Sequence, residues 1–171
     1  MLYWPEPLSS CHFDPREVEK ISGVSHDLQR QWRVRYLDFR QISFVHRQEF
    51  GKRGRWSWEG VQLIALFARA LGDLKDGDMA RRVLMLDPVA GVTTDELGIF
   101  HSDQRSPDTG DLLIAGDLSL GADARFSTCT EDNLHYLLKP DLALTGPEPR
   151  PYVINFSAFQ RALARKAGFS G

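Results

Sequence analysis

Several features that would assign a chemistry are missing from this chain of 171 residues. It has two cysteines, Cys11 and Cys129, too few and too far apart to suggest a disulfide framework or a zinc site, so we expect two reduced thiols. It contains no phosphate-binding glycine loop, no His-Glu-x-x-His and no paired Cys-x-x-Cys. We therefore predict no catalytic residues, no metal and no cofactor, and expect that the protein is not an enzyme.

The chain also has little that would place it in a membrane. No apolar run approaches the ~18 residues that span a bilayer. The first residues lack the basic start and apolar stretch of an export signal. We therefore expect a cytoplasmic protein without a membrane partner. The apolar fraction of 42% is enough for a folded core, and we find no internal repeat.

The overall charge of −2 averages segments of opposite sign. Residues 28–58 hold eight basic residues against two acidic ones, whereas residues 73–148 hold six against fifteen. From residue 149 onward there are four basic residues and no acidic one. Phosphate groups are neutralised by the basic residues close to them, so the charge of a segment counts for binding and the overall charge does not. The basic segment 28–58 is therefore the predicted nucleic-acid surface. The acidic remainder would repel DNA, or is a solvated surface without a partner.

Two short helices are predicted around a tight turn near the beginning of the chain. Asp14, Pro15 and Glu17 form a capping box with proline in the first helical position, and Gly23 ends that helix. A second helix then covers residues 25–36, with Ser25 as its N-cap. We expect Leu28 and Trp32, four residues apart, to form its buried stripe.

A basic wing and two further helices follow. Residues 42–45 have an extended pattern, and two glycines bracket a basic turn, which predicts a β-hairpin with a wing at 47–56. We expect Trp56 to pack between this wing and the third helix, which Ser57 caps and Gly72 ends. A fourth helix is predicted over 78–86.

The second half predicts a small α+β domain. Apolar runs at 97–100 and 112–115 indicate a hairpin with a long loop, and a further strand is expected over 125–130. A helix begins after Thr130, a strand covers 152–156, and Ser157 caps a last helix. The fold class is therefore α+β, with an N-terminal winged helix-turn-helix of three to four helices at 1–88 and a small α+β domain at 89–171.

Residues 13–71 resemble the N-terminal winged helix-turn-helix domain of the MerR transcription-factor superfamily. The likeness rests on Val18, Ile21-Ser22-Gly23-Val24-Ser25, Leu28-Gln29-Arg30-Gln31-Trp32 and Gly54-Arg55-Trp56-Ser57-Trp58-Glu59-Gly60-Val61. Phage excisionases and small terminase subunits contain the same module, and all three uses bind duplex DNA. No long heptad helix follows Leu86, and the mercury-type cysteines are absent, so family-type dimerisation and metal sensing are not carried over.

The predicted DNA-binding residues lie on the second helix and on the wing. The first turn of a recognition helix is nearest the base edges of the major groove. The second helix supplies candidate base contacts in Ser25, His26 and Gln29, and base or phosphate contacts in Arg30, Arg33 and Arg35. The wing residues expected at phosphate or in the minor groove are Lys52, Arg53 and Arg55.

These features predict a bacterial or phage transcriptional regulator that binds double-stranded DNA and associates with the nucleoid. A homodimer is expected because one helix and wing bury limited surface and two half-sites multiply affinity. The C-terminal domain would supply dimerisation, a protein partner surface or a small-molecule pocket. Two alternatives stay open: an architectural or packaging DNA-binding protein, and an adaptor whose basic helix meets an acidic protein.

Overall fold

The computed structural model describes residues 11–37, 44–45, 54–86, 92–94, 100–102, 111–137 and 150–168. Its helices are α1 Pro15–Ser22, α2 His26–Arg35, α3 Trp58–Leu74, α4 Gly77–Leu84, α5 Glu131–Leu137 and α6 Phe156–Lys166. Its strands are β1 His12–Phe13, β2 Phe44–Val45, β3 Arg55–Ser57, β4 Val92–Thr94, β5 Phe100–Ser102, β6 Leu113–Asp117, β7 Phe126–Cys129 and β8 Pro151–Asn155. A 3-10 segment, Leu118–Asp123, joins β6 to the residues before β7. The mixture of helices and small antiparallel sheets confirms an α+β fold.

Helix α3 is the central element of the first half. Ser57 caps it as predicted, its hydroxyl accepting from the Gly60 N–H at 3.1 Å. Residues 60–67 are buried all round the helix, because α1, α4 and the β1–β3–β2 sheet surround it. The predicted end at Gly72 is wrong, since the helix continues to Leu74. Lys75 then takes the left-handed conformation, at φ 57°, which ends the helix.

The second half is built around strand β6. This strand pairs antiparallel with both β7 and β8, while β5 pairs with β4. Of the predicted hairpin between residues 97–100 and 112–115, residues 97–99 lie outside the described residues, and Phe100 pairs with Thr94 of β4 rather than with β6. Residues 113–116 are buried although they alternate between the two faces of the sheet, because α5 covers one face and the main core covers the other. A strand buried on both faces has no polar alternation to reveal its neighbours.

Helix α6 begins two residues earlier than predicted. Its N-cap is Asn155, whose side-chain oxygen accepts from the Ala158 N–H at 2.8 Å, rather than Ser157. Ser157 is buried instead, and its hydroxyl accepts from the Leu112 N–H at 2.9 Å. The Ser157 bond joins the start of α6 to Leu112, the residue before β6.

The hydrophobic core crosses the predicted boundary at residue 88. The cluster that contains Val18 and Phe67 also contains Phe126 and Leu163. Within it, the amide nitrogen of buried Gln160 donates to the side-chain oxygen of buried Gln62 at 2.5 Å. The segments before and after residue 88 are thus packed on each other, and the core is not divided there.

Candidate nucleic-acid interface

The start of α1 carries the capping box that the sequence predicts. The Asp14 carboxylate accepts from the Arg16 and Glu17 N–H groups at 2.8 and 3.0 Å, and Glu17 accepts from the Asp14 N–H at 2.7 Å. The Glu17 N–H bond is the largest cause that lowers the pKa of Asp14, aided by the positive charges of Arg55 and Arg16. Arg55 lies near the beginning of α1 because strand β3 pairs with β1, with Trp56 opposite Phe13.

A tight turn connects α1 to α2. Gly23 adopts φ 77°, and its N–H donates to Glu19 at 2.8 Å, which closes α1. Ser25 then caps α2, its hydroxyl accepting from the Leu28 N–H at 3.4 Å. Both caps are confirmed. The Ser25 hydroxyl is used by this cap, and its base contact stays a prediction.

Gln29 is placed differently from the prediction. It is 1% exposed, and its amide nitrogen donates to the carbonyls of Pro15 and Val24, each at 2.8 Å. A side chain held in this way cannot reach a base edge, so the base contact predicted for Gln29 is wrong. Its structural role is to fix α2 against the start of α1 and against the turn.

Leu28 also lies on a different face of α2 from the one predicted. It is 40% exposed, whereas the sequence predicted it in the buried stripe. The inward face consists of Gln29, Trp32 and Tyr36. The two aromatic rings lie against Phe67 of α3, with centroids 4.8 and 4.6 Å from that ring.

The outward face of α2 follows from this placement. Successive residues of an α-helix are rotated by roughly 100°, so the centre of the face opposite Gln29 is formed by Asp27, Gln31 and Val34. All three are exposed, and Val34 is 69% exposed. Arg30 and Arg35 lie on the two flanks of that centre, roughly 140° apart around the axis.

The predicted arginines therefore do not share one face. Arg30 is exposed, while Arg33, one turn further on the same flank, is half-buried and engaged with other residues. Arg35 lies over the ring of Tyr36, with its guanidinium carbon 5.3 Å from the centroid. His26 is exposed in the first turn, on the flank of Arg30.

Strands β2 and β3, which follow α2 in the chain, form the described part of the predicted wing. β2 and β3 pair antiparallel, with Phe44 opposite Trp56 and Val45 opposite Arg55. Arg55 is exposed, and Trp56 is 2% exposed, which confirms its packing in the core. The predicted contacts Lys52 and Arg53 lie outside the described residues.

Sequence reasoning missed Asp27, Gln31 and Val34 as the centre of the outward face. The sequence did contain a signal for the inward face, because Trp32 and Tyr36 are four residues apart. Leu28 and Gln29 both lie at helical spacing from these two residues, so either one could belong to the same buried face. Hydrophobicity favoured Leu28. The hydrogen-bonding needs of Pro15 and Val24, which depend on tertiary contacts, decide in favour of Gln29.

Comparison of the chain with protein-family models, with curated proteins and with solved structures gave no match. In the described ranges, no three His, Cys, Asp or Glu side chains are grouped so that they could hold a metal ion. No helix within those ranges combines the length and the apolar character needed to cross a membrane.

Proposed function

We propose that this protein is a transcriptional regulator that binds duplex DNA through a MerR-like winged helix-turn-helix. In this proposal α2 enters the major groove, and the β2–β3 hairpin lies on the sugar-phosphate backbone. The chain order α1, turn, α2, hairpin, α3 supports it. A homodimer on two half-sites would supply the affinity that one module lacks.

The observation that carries the proposal is the fixed orientation of α2. Gln29, Trp32 and Tyr36 hold one face inward, and the opposite face is left exposed along the ten residues of the helix. A helix of this length extends about 15 Å, and the major groove is about 12 Å wide. The exposed face can therefore enter the groove without disturbing the contacts that orient it.

The outward side chains define the expected contacts. Arg30 fits guanine or phosphate, Gln31 fits adenine, and the apolar Val34 fits a thymine methyl group. Asp27 beside them can accept from cytosine and would exclude several other bases. Specificity would come from these residues, whereas Arg55 and Arg16, exposed near the start of α1, would add phosphate contacts.

The test is a binding series on a sequence selected from a random duplex pool. Arg30→Ala should weaken binding several-fold or more and should reduce the slope of log affinity against log salt by about 1. The matched control is Arg150→Ala, which removes the same charge from an exposed position at the start of β8. Gln31→Ala should alter the preferred sequence with little change of the salt slope. Undiminished binding by Arg30→Ala would contradict the placement of α2 in the groove.

A second candidate, a protein-interaction adaptor, is favoured by one specific observation. Leu28 and Val34 expose apolar surface on α2, with Val34 between the two arginine flanks and Leu28 beside Arg35. Such a surface also fits an amphipathic acidic helix of another protein. Retention on DNA that vanishes at modest salt, with no sequence enriched from the pool, would favour the adaptor. An architectural or packaging role would instead give cooperative multi-site binding or a ring-sized mass in light scattering.

A further inference from the structure

A cleft of about 500 Å³ lies between the end of α4 and the residues that lead into β7. Its size falls within the range of small-molecule sites. It is on the side of α3 that carries α4, whereas α2 packs on α3 through Phe67. The described residues that line it are Arg82, Leu86, Asp123, Ala124, Arg125 and Phe126.

The apolar part of the cleft is firmly positioned. Phe126 is 8% exposed and meets the Tyr152 ring edge-on, with the centroids 5.8 Å apart. The Phe126 ring also lies against Gly116, where an added Cβ would stand 2.6 Å from a ring carbon. Ala124 is buried and Leu86 half-buried beside it. These contacts provide a preformed apolar surface for the body of a ligand.

The polar part consists of two guanidinium groups and one carboxylate. Arg82 is held in place because its Nη1 donates to the backbone carbonyls of Ala122 and Ala124. An arginine has five N–H donors, and the bonds of Arg82 within the described ranges use Nη1, which leaves those of Nε and Nη2 for a ligand. Within the described part of the chain, neither Arg82 nor Arg125 has a carboxylate partner at ion-pair distance.

We propose that this cleft binds a small organic carboxylate with an apolar body. The carboxylate accepts hydrogen bonds from Arg82 and Arg125, since the planar guanidinium fork matches that group. The apolar body lies on Phe126, Ala124 and Leu86. Asp123 at the same cleft disfavours multiply charged anions and offers an acceptor to a ligand that also carries an ammonium group. This assignment does not depend on DNA binding.

The experiment compares phenylacetate with its neutral analogue, phenylacetamide, by calorimetry on the full chain. The two probes have the same ring and nearly the same shape, and only the acid forms charge-assisted hydrogen bonds. We expect phenylacetate to bind about tenfold more tightly than the amide. Backbone amide shifts should move at residues 82–86 and 122–126.

The test is completed by two single-charge variants. Arg125→Ala should reduce the preference for the acid, because it removes one of the two guanidinium groups that bind the carboxylate. Arg125 is exposed, so the variant should keep the fold and the Arg82 bonds. Arg165→Ala, in the last turn of α6, is the matched control and should bind like the unmodified chain. Equal affinity for acid and amide, undiminished acid binding by Arg125→Ala, or shifts confined to other residues would each overturn the proposal. Inorganic phosphate binding as tightly as phenylacetate would also overturn it.

Discussion

Substitution of the buried Gln29 distinguishes a structural role of this side chain from a role in base recognition. Gln29→Leu keeps the side-chain volume but removes both donors to the carbonyls of Pro15 and Val24. Each such bond contributes about 1 kcal/mol net. The Gln29 side-chain oxygen has no hydrogen-bond partner among the described residues, so its removal breaks no further bond.

We therefore expect Gln29→Leu to lower the free energy of unfolding by about 2 kcal/mol. For a domain of this size, each kcal/mol changes the melting temperature by roughly 2–4 °C. The variant should thus melt about 4–8 °C below the unmodified chain. Urea titration followed by circular dichroism gives the free energy directly.

Gln29→Glu extends the test through its dependence on pH. At pH 7 the carboxylate would face two carbonyl oxygens in a buried position, at a cost of at least about 3 kcal/mol. Burial favours the protonated form, so the pKa of this glutamate is higher in the folded state than its unfolded value of about 4.3. The folded state then binds the proton more strongly, and the deficit relative to the unmodified chain shrinks as the pH falls toward that value.

Two results would refute this account. Gln29→Leu could melt within about 1 °C of the unmodified chain while losing DNA affinity, which is the signature of a base contact. Gln29→Glu could also be as stable as the unmodified chain at pH 7, which would mean that the amide nitrogen is not the bonded atom. Gln31→Leu is the matched control, because the exposed Gln31 should tolerate the change without loss of stability.

Two further predictions concern the cap of α1 and the shared core. Asp14→Ala should lower the free energy of unfolding by about 1 kcal/mol at neutral pH, as measured by urea titration. The pKa of Asp14 is lower in the folded state than its unfolded value of about 3.9, so the charged cap stabilises the fold fully above that value. The difference in stability between the unmodified chain and the alanine variant should therefore diminish as the pH falls through the lower folded pKa. A cap effect that persists unchanged to low pH would contradict the charged role. A fragment of residues 1–88 should lack the cooperative melting of the full chain, because Gln62 loses its partner Gln160 and the shared core loses Phe126 and Leu163. A cooperative melt of the fragment would show that the first half folds alone.

The features predicted correctly from the sequence are those whose causes lie within a few residues. The Asp14–Glu17 capping box, the left-handed Gly23 and the Ser57 cap each join groups two to four positions apart, so local spacing is sufficient to find them. The burial of Trp56 was also predictable, because a tryptophan between a hairpin and an apolar helix has little alternative.

The features that were missed depend on contacts distant in sequence. Gln29 faces inward in place of Leu28 because its amide nitrogen donates to the carbonyl of Pro15, fourteen positions earlier in the chain. The partners of β6 include β8, and their register joins Ile114 to Ile154. A continuous apolar strand fits several neighbours equally well, so the sequence pattern cannot select among them.

Helix α4 physically joins the proposed DNA-binding helix to the cleft. At its first residue, an added Cβ on Gly77 would stand 2.9 Å from the Tyr36 hydroxyl, so that residue and the end of α2 are in close contact. A turn and a half later, Arg82 is bonded to the backbone that leads into β7. A ligand of the cleft that favours a different position of α4 would therefore have to displace Tyr36 as well. Coupling between the two sites requires such a differential affinity, because a ligand that binds both positions of α4 equally would shift neither.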